Sequence, residues 1–174
     1  MKLNEALPFL SDDIGIHEKA KWVDLGCGTG LFTLALASRL QPSSSIYALD
    51  TDLSSLHQVP ARYNGVTIEK QQSDFEKDKF SFTDLDGILM ANSLHYVKDQ
   101  PGFIKRIAGW LGLTGCFLLI EYDTDKSNPW VPYPLSFLSA EKIFKQAGFS
   151  FTRKLHEKAS AFGRANLYSM LIKR

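Results

Sequence analysis

The sequence predicts an α/β fold, in which three layers form around a doubly wound, mostly parallel seven-stranded sheet that ends in a C-terminal antiparallel hairpin. Apolar runs of strand length alternate with segments of helical period, and turn residues separate them. This alternation is typical of parallel strands joined by crossover helices. After Gly148 two strand-like segments follow each other with no helix between them, which predicts the hairpin. We expect a single domain over residues 1–174, because the chain has the length of one ordinary domain.

The individual elements follow from local periodicity and from the residues at their ends. In the first half we predict a helix near 2–19, strand 21–25, helix 31–40, strand 45–49, helix 53–59 and strand 66–70. In the second half we predict strand 86–91, helix 101–111, strand 116–121, helix 140–147 and hairpin strands 149–155 and 166–172. Asp52 and Ser139 are the expected N-caps of two helices, Pro101 suits a first helical turn, and Gly148 suits a helix end.

Composition and charge exclude several classes of protein. The formal net charge is +1 at pH 7, so no overall field favours nucleic acid or an anionic membrane, and a small-molecule substrate is expected. The longest apolar stretches, 31–40 and 115–120, are far shorter than the ~20 residues that cross a bilayer. The first residues lack the apolar core of a signal peptide, so a cytoplasmic location is expected.

The two cysteines predict neither a disulfide nor a metal site. Cys27 and Cys116 lie far apart in the sequence, and neither has the neighbours that metal ligands or redox pairs require. Cys27 lies in a glycine-rich turn that needs a small side chain, and Cys116 begins an apolar run. We therefore expect both thiols to be reduced and to pack in the interior.

A glycine-rich turn, Gly26-Cys27-Gly28-Thr29-Gly30, joins a buried strand directly to an amphipathic helix. Glycines allow a ligand to approach the main chain closely, and the first turn of a helix offers free N–H groups, so this turn predicts a ligand site. The dinucleotide fingerprint would require a third glycine or alanine at position 31, where this chain has Leu31. No Gly-Lys-Ser/Thr follows, so a Walker-type phosphate site is also excluded.

The segment from Asp24 to Gly30 resembles the first motif of the class I S-adenosylmethionine-dependent methyltransferases, an acidic residue followed by Gly-x-Gly-x-Gly. Segments 85–97, 111–115 and 147–149 also resemble that family, so the likeness covers nearly the whole chain. The resemblance implies the seven-stranded Rossmann-like fold, S-adenosyl-L-methionine as the cofactor, and methyl transfer as the activity. It assigns cofactor contacts in this turn to Asp24, Gly26, Cys27, Gly28 and Gly30.

Asp50 is the best single candidate for binding the cofactor's sugar. It ends an apolar strand about 20 residues beyond the glycines, where such folds bind ribose hydroxyls. A carboxylate can accept two hydrogen bonds from a vicinal diol. The alternative, a helix-capping role, suits Asp52 better. Thr51 follows Asp50 where family members often have an apolar residue, and we include it among the cofactor-binding candidates.

The segment Gln72-Ser73-Asp74-Phe75 resembles the family segment that contacts adenine. The resemblance implies that Asp74 accepts a hydrogen bond from the adenine amino group and that Phe75 lies beside the ring. The alternative is a solvated loop carboxylate next to a core phenylalanine, since the loop is acidic throughout.

The methyl acceptor is expected beyond the carboxyl ends of the central strands, where doubly wound sheets bind ligands. Asn92, His95 and Tyr122 are therefore the catalytic candidates, and Asn92 is a candidate for cofactor contact as well. His95 suits a general base because an ordinary imidazole titrates near ~6.5, although it could equally bridge a loop and a helix. The remaining candidates could form the acceptor's walls or simply pack; they are Glu121, Trp130 and Tyr133.

The predicted function is methyl transfer to an oxygen, nitrogen or carbon atom of a small molecule by in-line displacement. One alternative is a non-catalytic cofactor-binding protein or partner subunit with the same fold. Another is an RNA or protein methyltransferase, for which spaced C-terminal charges could contact phosphate; these are Arg153, Lys154, Lys158, Arg164, Lys173 and Arg174. Methylation of exocyclic base amines is disfavoured, because Asn92-Ser93-Leu94-His95 lacks the two prolines of that motif.

Overall fold

The computed structural model describes residues 1–10, 14, 19–159 and 165–174. Its eight strands form one sheet in the order β3-β4-β2-β1-β5-β6-β8-β7. The strands are β1 Lys21–Leu25, β2 Ser45–Asp50, β3 Arg62–Tyr63, β4 Val66–Gln72, β5 Leu85–Ala91, β6 Leu111–Tyr122, β7 Phe151–Ala159 and β8 Asn166–Lys173. The five strands from β4 to β6 in this order are parallel, and β8 and β7 complete an antiparallel hairpin. The predicted α/β fold class is confirmed.

The additional eighth strand is a two-residue hairpin arm at the sheet edge. β3 pairs antiparallel with β4 through Arg62 and Tyr63. The connecting residues, Asn64 and Gly65, have positive φ angles of 47° and 80°. Two such residues form the tight turn whose twist matches paired strands.

The described helices are α1 Leu3–Ala6, α2 Leu31–Ala37, α3 Leu53–Leu56, α4 Gln100–Ile107 and α5 Phe137–Gln146. The prediction of one helix near 2–19 is wrong at residues 7–9, which form a 3-10 turn, because Pro8 has no N–H to continue α1. Residues 11–13 and 15–18 of that prediction lie outside the described residues. None of the described helices is long and apolar enough to cross a membrane.

The helix ends test the predicted capping residues. The carboxylate of Asp52 caps α3, and Pro101 lies in the first turn of α4, as predicted. Gly148 adopts the left-handed conformation after α5, also as predicted. The prediction of Ser139 as a cap is wrong, because α5 begins earlier. The hydroxyl of Ser136 instead accepts a hydrogen bond from the Ser139 N–H at 3.3 Å.

The core lies on both faces of the sheet, so the central strands are buried throughout. On one face Phe117 packs edge-to-face against Phe144 and Phe149. On the other face the 1% exposed Trp22 belongs to a buried apolar cluster that includes Phe32. Through these two clusters, helices pack on both faces of the sheet. The same packing holds the strand ends at which the site described below is formed.

Gly87 leaves the space that the indole ring of Trp22 occupies. The two residues are register partners on β5 and β1, and a Cβ atom at position 87 would overlap the ring. We expect Gly87→Ala to lower the free energy of unfolding by about 3 kcal/mol, measured by urea denaturation. Gly109→Ala is the control, since its Cβ would meet nothing within 4 Å. Equal stability of the two variants would contradict this account of the packing.

Candidate functional site

The glycine turn is anchored to the neighbouring strand by its own main chain. The N–H groups of Gly26 and Cys27 both donate to the carbonyl oxygen of Leu49 on β2, at 2.8 and 2.9 Å. A Cβ atom on Gly26 would lie 2.6 Å from the Cβ of Ser93, so the loop after β5 approaches the turn too closely for any side chain. The ends of β1, β2 and β5 therefore meet around bare main chain, as parallel strands require.

Asp50 lies directly across the glycine turn. One of its carboxylate oxygens accepts a hydrogen bond from the Gly28 N–H at 2.7 Å, and the other accepts one from the Asp52 N–H at 2.9 Å. The carboxylate thus faces the glycines, while capping of α3 is carried out by Asp52. Hydrogen bonds from Ser54 and Ser55 lower the pKa of Asp52 to about 2.

A cavity of about 420 Å³ opens beside the turn, and we call it the glycine-loop cavity. Its lining residues are Asp24, Gly26, Cys27, Gly28, Thr29, Leu31, Phe32, Asp50, Thr51, Phe75, Ala91, Asn92, Ser93 and Tyr96. It brings together every predicted cofactor-binding residue except Gly30 and Asp74. Its volume is within the range of small-molecule sites.

The two remaining cofactor candidates lie outside this lining. A Cβ atom on Gly30 would lie 2.9 Å from a methyl group of Val59, so this glycine packs against the chain itself. The carboxylate of Asp74 binds the Lys77 ammonium at 2.6 Å and accepts from the Glu76 N–H at 3.1 Å. These hydrogen bonds lower its pKa. The cofactor roles of Gly30 and Asp74, like those of the lining residues, stay predictions.

Asp24 places a buried, incompletely paired carboxylate in the cavity wall. One oxygen accepts a hydrogen bond from the Thr33 hydroxyl at 2.6 Å. The other is buried and has no hydrogen-bond partner among the described residues. Burial raises the pKa of Asp24 to about 7, the negative charge of Asp50 adds to this rise, and the Thr33 hydrogen bond opposes it. A buried oxygen without a partner is uncommon and suits a ligand that donates hydrogen bonds.

A second, larger cavity of about 730 Å³ adjoins the first, and we call it the aromatic cavity. Its lining residues are Asn92, His95, Tyr96, Tyr122, Thr124, Lys126, Ser127, Asn128, Trp130, Val131 and Ala165. The three predicted catalytic residues therefore line one cavity. Asn92 and Tyr96 line both cavities, so the two spaces meet at these side chains.

Asn92 adopts a backbone conformation that is uncommon outside glycine. Its φ angle is +54°, and its N–H donates to the Ile120 carbonyl at 2.8 Å, which extends the pairing of β5 with β6. Its side-chain oxygen is buried and has no hydrogen-bond partner among the described residues. Unusual backbone conformations of this kind often accompany functional sites.

His95 and Glu121 form a buried pair between the ends of β5 and β6. The imidazole Nδ1 lies 2.6 Å from one carboxylate oxygen of Glu121, and the His95 N–H donates to the other at 3.2 Å. Burial raises the pKa of Tyr122, and the Glu121 charge adds to this rise. Glu121 lies behind His95 and outside the cavity lining, whereas Trp130 belongs to the lining.

Sequence reasoning did not assign roles to several residues that the site contains. Ser93 and Tyr96 were not assigned roles of their own, although the Ser93 hydroxyl donates to the Leu25 carbonyl at 2.6 Å and so fixes the loop after β5. Tyr133, a predicted wall residue, lies outside both linings, and its N–H donates to the His95 carbonyl at 3.0 Å. Their place in the segment Asn92-Ser93-Leu94-His95-Tyr96, directly after a predicted strand, was the sequence signal for Ser93 and Tyr96.

Comparison with known proteins gives one family match. A family model described as a methyltransferase domain matches residues 23–115, which is more than half of the chain. The match includes the glycine turn, Asp50 and the loop that carries His95. None of the curated proteins matches the sequence significantly.

Solved structures share the fold over almost the full length of the chain. The YcgJ protein from Bacillus subtilis is 14% identical with a TM-score of 0.73, covering 98% of this chain and 99% of that one. A SAM-dependent methyltransferase from Aquifex aeolicus is 16% identical with a TM-score of 0.65, covering 100% of both chains. The N-terminal domain of EvdMO1, solved with SAH bound, is 19% identical with a TM-score of 0.68, covering 99% of this chain and 80% of that one. At these identities the likeness is one of fold.

Proposed function

The chain belongs to the methyltransferase-domain family, and we propose that it transfers the methyl group of S-adenosyl-L-methionine to a small-molecule acceptor. When bound, this cofactor supplies an activated methyl group. The protein's task is then to align donor and acceptor for in-line displacement and to exclude water, and such alignment can contribute ~7–11 kcal/mol. The observation that carries the proposal is the junction of the glycine-loop cavity with the aromatic cavity at Asn92 and Tyr96.

The residues of the glycine-loop cavity fit the cofactor group by group. The unpaired oxygen of Asp24 can accept a hydrogen bond from the ammonium of the methionine part. The carboxylate of Asp50 can accept from the ribose hydroxyls beside the bare main chain of Gly28. Phe75 and Thr51 are available for the adenine ring. Asn92 is the side chain through which cofactor and acceptor would both be contacted.

A small molecule is the favoured acceptor. The aromatic cavity has the volume of a small-molecule site, and the formal net charge of the chain is +1. Among the basic residues that an RNA would use, Lys154 pairs with Glu157 at 2.8 Å and Lys158 pairs with Glu5 at 2.6 Å. Arg164 lies outside the described residues. A cytoplasmic location stays a prediction.

Two measurements test the proposal. Calorimetric titration with S-adenosylmethionine and S-adenosylhomocysteine should give one site per chain, and a methyl-labelled cofactor should transfer its label to members of a small-molecule panel. Binding of the cofactor without transfer to any acceptor would identify the non-catalytic alternative. Absence of heat at millimolar cofactor would contradict the proposal altogether.

The protonation of Asp24 predicts a pH dependence of cofactor affinity. In the free protein its pKa is raised to about 7, so the carboxyl is protonated below that pH and must lose its proton to accept the ammonium. We expect the association constant for S-adenosylmethionine to rise by up to about tenfold per pH unit between pH 5 and pH 7, and then to level off.

The matched control for this dependence is Asp24→Asn. It keeps the size of the side chain but removes the titrating group, so we expect weaker binding that stays nearly constant over the same interval. Calorimetry in buffers of different ionisation enthalpy would also count the proton released at pH 6. An unchanged slope in the Asp24→Asn variant would assign the titration to another group.

A further inference from the structure

The buried pair of His95 and Glu121 is more than a packing contact, because of how completely it is enclosed and how it is oriented. The two residues are 2% and 1% exposed. Both carboxylate oxygens of Glu121 contact His95, one at the ring Nδ1 and one at the main-chain N–H. An unpaired buried carboxylate is costly, so each partner requires the other in this position.

The orientation fixes which nitrogen of His95 carries the proton. A carboxylate accepts hydrogen bonds and cannot donate them, so Nδ1 carries the hydrogen in this contact, and in the neutral ring Nε2 is the nitrogen with the free lone pair. Within the described part of the chain Nε2 has no hydrogen-bond partner, and His95 lines the aromatic cavity. The pair therefore presents a proton acceptor to whatever occupies that cavity.

The walls of the aromatic cavity indicate the shape of its occupant. Besides His95, three of its lining residues have aromatic rings, Tyr96, Tyr122 and Trp130. The Tyr96 ring lies 4.3 Å from the His95 ring, and the Trp130 side chain is 79% exposed at the rim. Aromatic faces favour flat partners with apolar surface, and a phenol ring has this shape.

Building on the proposed function, we propose that the methyl acceptor is a phenol, that His95 removes its hydroxyl proton, and that Glu121 is the positioning residue for His95. The phenol oxygen forms the new bond to the methyl carbon, and the carbon–sulfur bond breaks with its electron pair remaining on sulfur. The hydroxyl proton moves to Nε2 and later leaves to solvent. The products are a methyl ether, the demethylated cofactor and one proton.

The proposal separates acceptors that need a base from acceptors that do not. An un-ionised phenol must lose its proton as the oxygen attacks, whereas a phenol acidic enough to be ionised at the assay pH arrives as the nucleophile. A base contributes ~10²–10⁴-fold to the first reaction and nothing comparable to the second. A purely structural role of His95 would affect both reactions alike.

The test uses phenols of graded acidity at saturating S-adenosylmethionine. We expect His95→Gln to lower kcat for ordinary phenols by about 10²–10⁴-fold and for nitrophenols ionised at the assay pH by less than about tenfold. Glu121→Gln should give the same pattern with a smaller loss and little change in KM. His57→Gln, an exposed histidine at the end of α3, is the matched control and should behave as wild type. Equal losses on both groups of phenols would overturn the proposal.

A readout independent of turnover is the tautomer of His95. Nitrogen NMR of the free protein should show hydrogen on Nδ1 only, and titration with an ordinary phenol should shift the Nε2 signal. In Glu121→Gln the preference for this tautomer should weaken. A proton on Nε2 in the wild-type protein would overturn the assignment of the base.

Binding measurements separate failure of this inference from failure of the proposed function. Calorimetry with S-adenosylmethionine tests the cofactor site by itself, and a second titration with a phenol tests the aromatic cavity. Cofactor binding combined with no binding or methylation of any phenol at millimolar concentration would overturn the acceptor class while leaving the proposed function intact. Cofactor binding together with methylation of phenols that depends on His95 is the expected result.

Discussion

Replacing Asp50 with alanine is expected to weaken S-adenosylmethionine binding by about 100-fold. Hydrogen bonds to a charged group contribute ~1.5–3 kcal/mol each, and loss of a forked pair to a diol removes about 3 kcal/mol, which corresponds to about two powers of ten in Kd. The Gly28 N–H, which donates to this carboxylate at 2.7 Å, would also lose its partner, so the turn would be less well ordered before binding. Calorimetric titration measures the change directly.

The matched control is Asp52→Ala, two residues further along the chain. It removes the same charge, but Asp52 is exposed, caps α3 and lies outside the cavity lining. We expect it to lower the urea midpoint of unfolding slightly, because α3 loses its N-cap, and to leave cofactor affinity nearly unchanged. If the two variants bound the cofactor equally weakly, the loss of one negative charge near the site, rather than the position of Asp50, would explain the weaker binding. Unchanged affinity in Asp50→Ala would refute its assignment to ribose.

The central strands could be predicted closely because their sequence signal is local. β1 has the predicted bounds Lys21–Leu25, and β2 extends only one residue beyond its prediction. A parallel strand buried on both faces has a continuous apolar run, and each of these runs is ended by a turn or by a polar residue. The glycine turn was equally local, since the ligand-binding main chain and the start of α2 follow each other directly.

The bounds of other elements were predicted less closely, because they depend on competing local signals or on pairing with distant parts of the chain. Asn64-Gly65 indicates a tight turn after the hairpin arm Arg62–Tyr63, but a strand of two residues is too short to show a periodic pattern in the sequence. β6 begins at Leu111, earlier than predicted, because it pairs with Leu85 before the register shift in β5. For α5, two serines could each act as a cap, and the sequence does not say which one has extended backbone.

The site shows the same division between local and distant information. Asp24, Asp50 and Phe75 were assigned from motifs within short segments, and all three line the glycine-loop cavity. The contact of His95 with Glu121 joins the 3-10 turn after β5 to the end of β6, 26 positions further along the chain, and the parallel register of β5 and β6 brings the two residues together. A single sequence carries no record of such a pair, so Glu121 was placed only as a candidate wall residue.

Gly26 and Gly28 provide two substitutions that separate folding from cofactor binding. At Gly26 an added Cβ would lie 2.6 Å from the Cβ of Ser93, whose hydroxyl is held by the Leu25 carbonyl, and the φ angle is +81°. Neither neighbour has room to move. We expect Gly26→Ala to lower the free energy of unfolding by about 3 kcal/mol, from overpacking and from the left-handed backbone together.

We expect Gly28→Ala, in contrast, to weaken cofactor binding more than it lowers stability. Its φ angle of +52° lies in the left-handed region that other residues reach at a cost of about 1 kcal/mol, and an added Cβ would meet nothing within 4 Å. That open space belongs to the glycine-loop cavity, so the methyl group would occupy volume needed by the cofactor. We expect near-normal stability in urea but at least tenfold weaker S-adenosylmethionine binding by calorimetry. If Gly28→Ala bound the cofactor normally, close approach to bare main chain would not be the reason for this glycine.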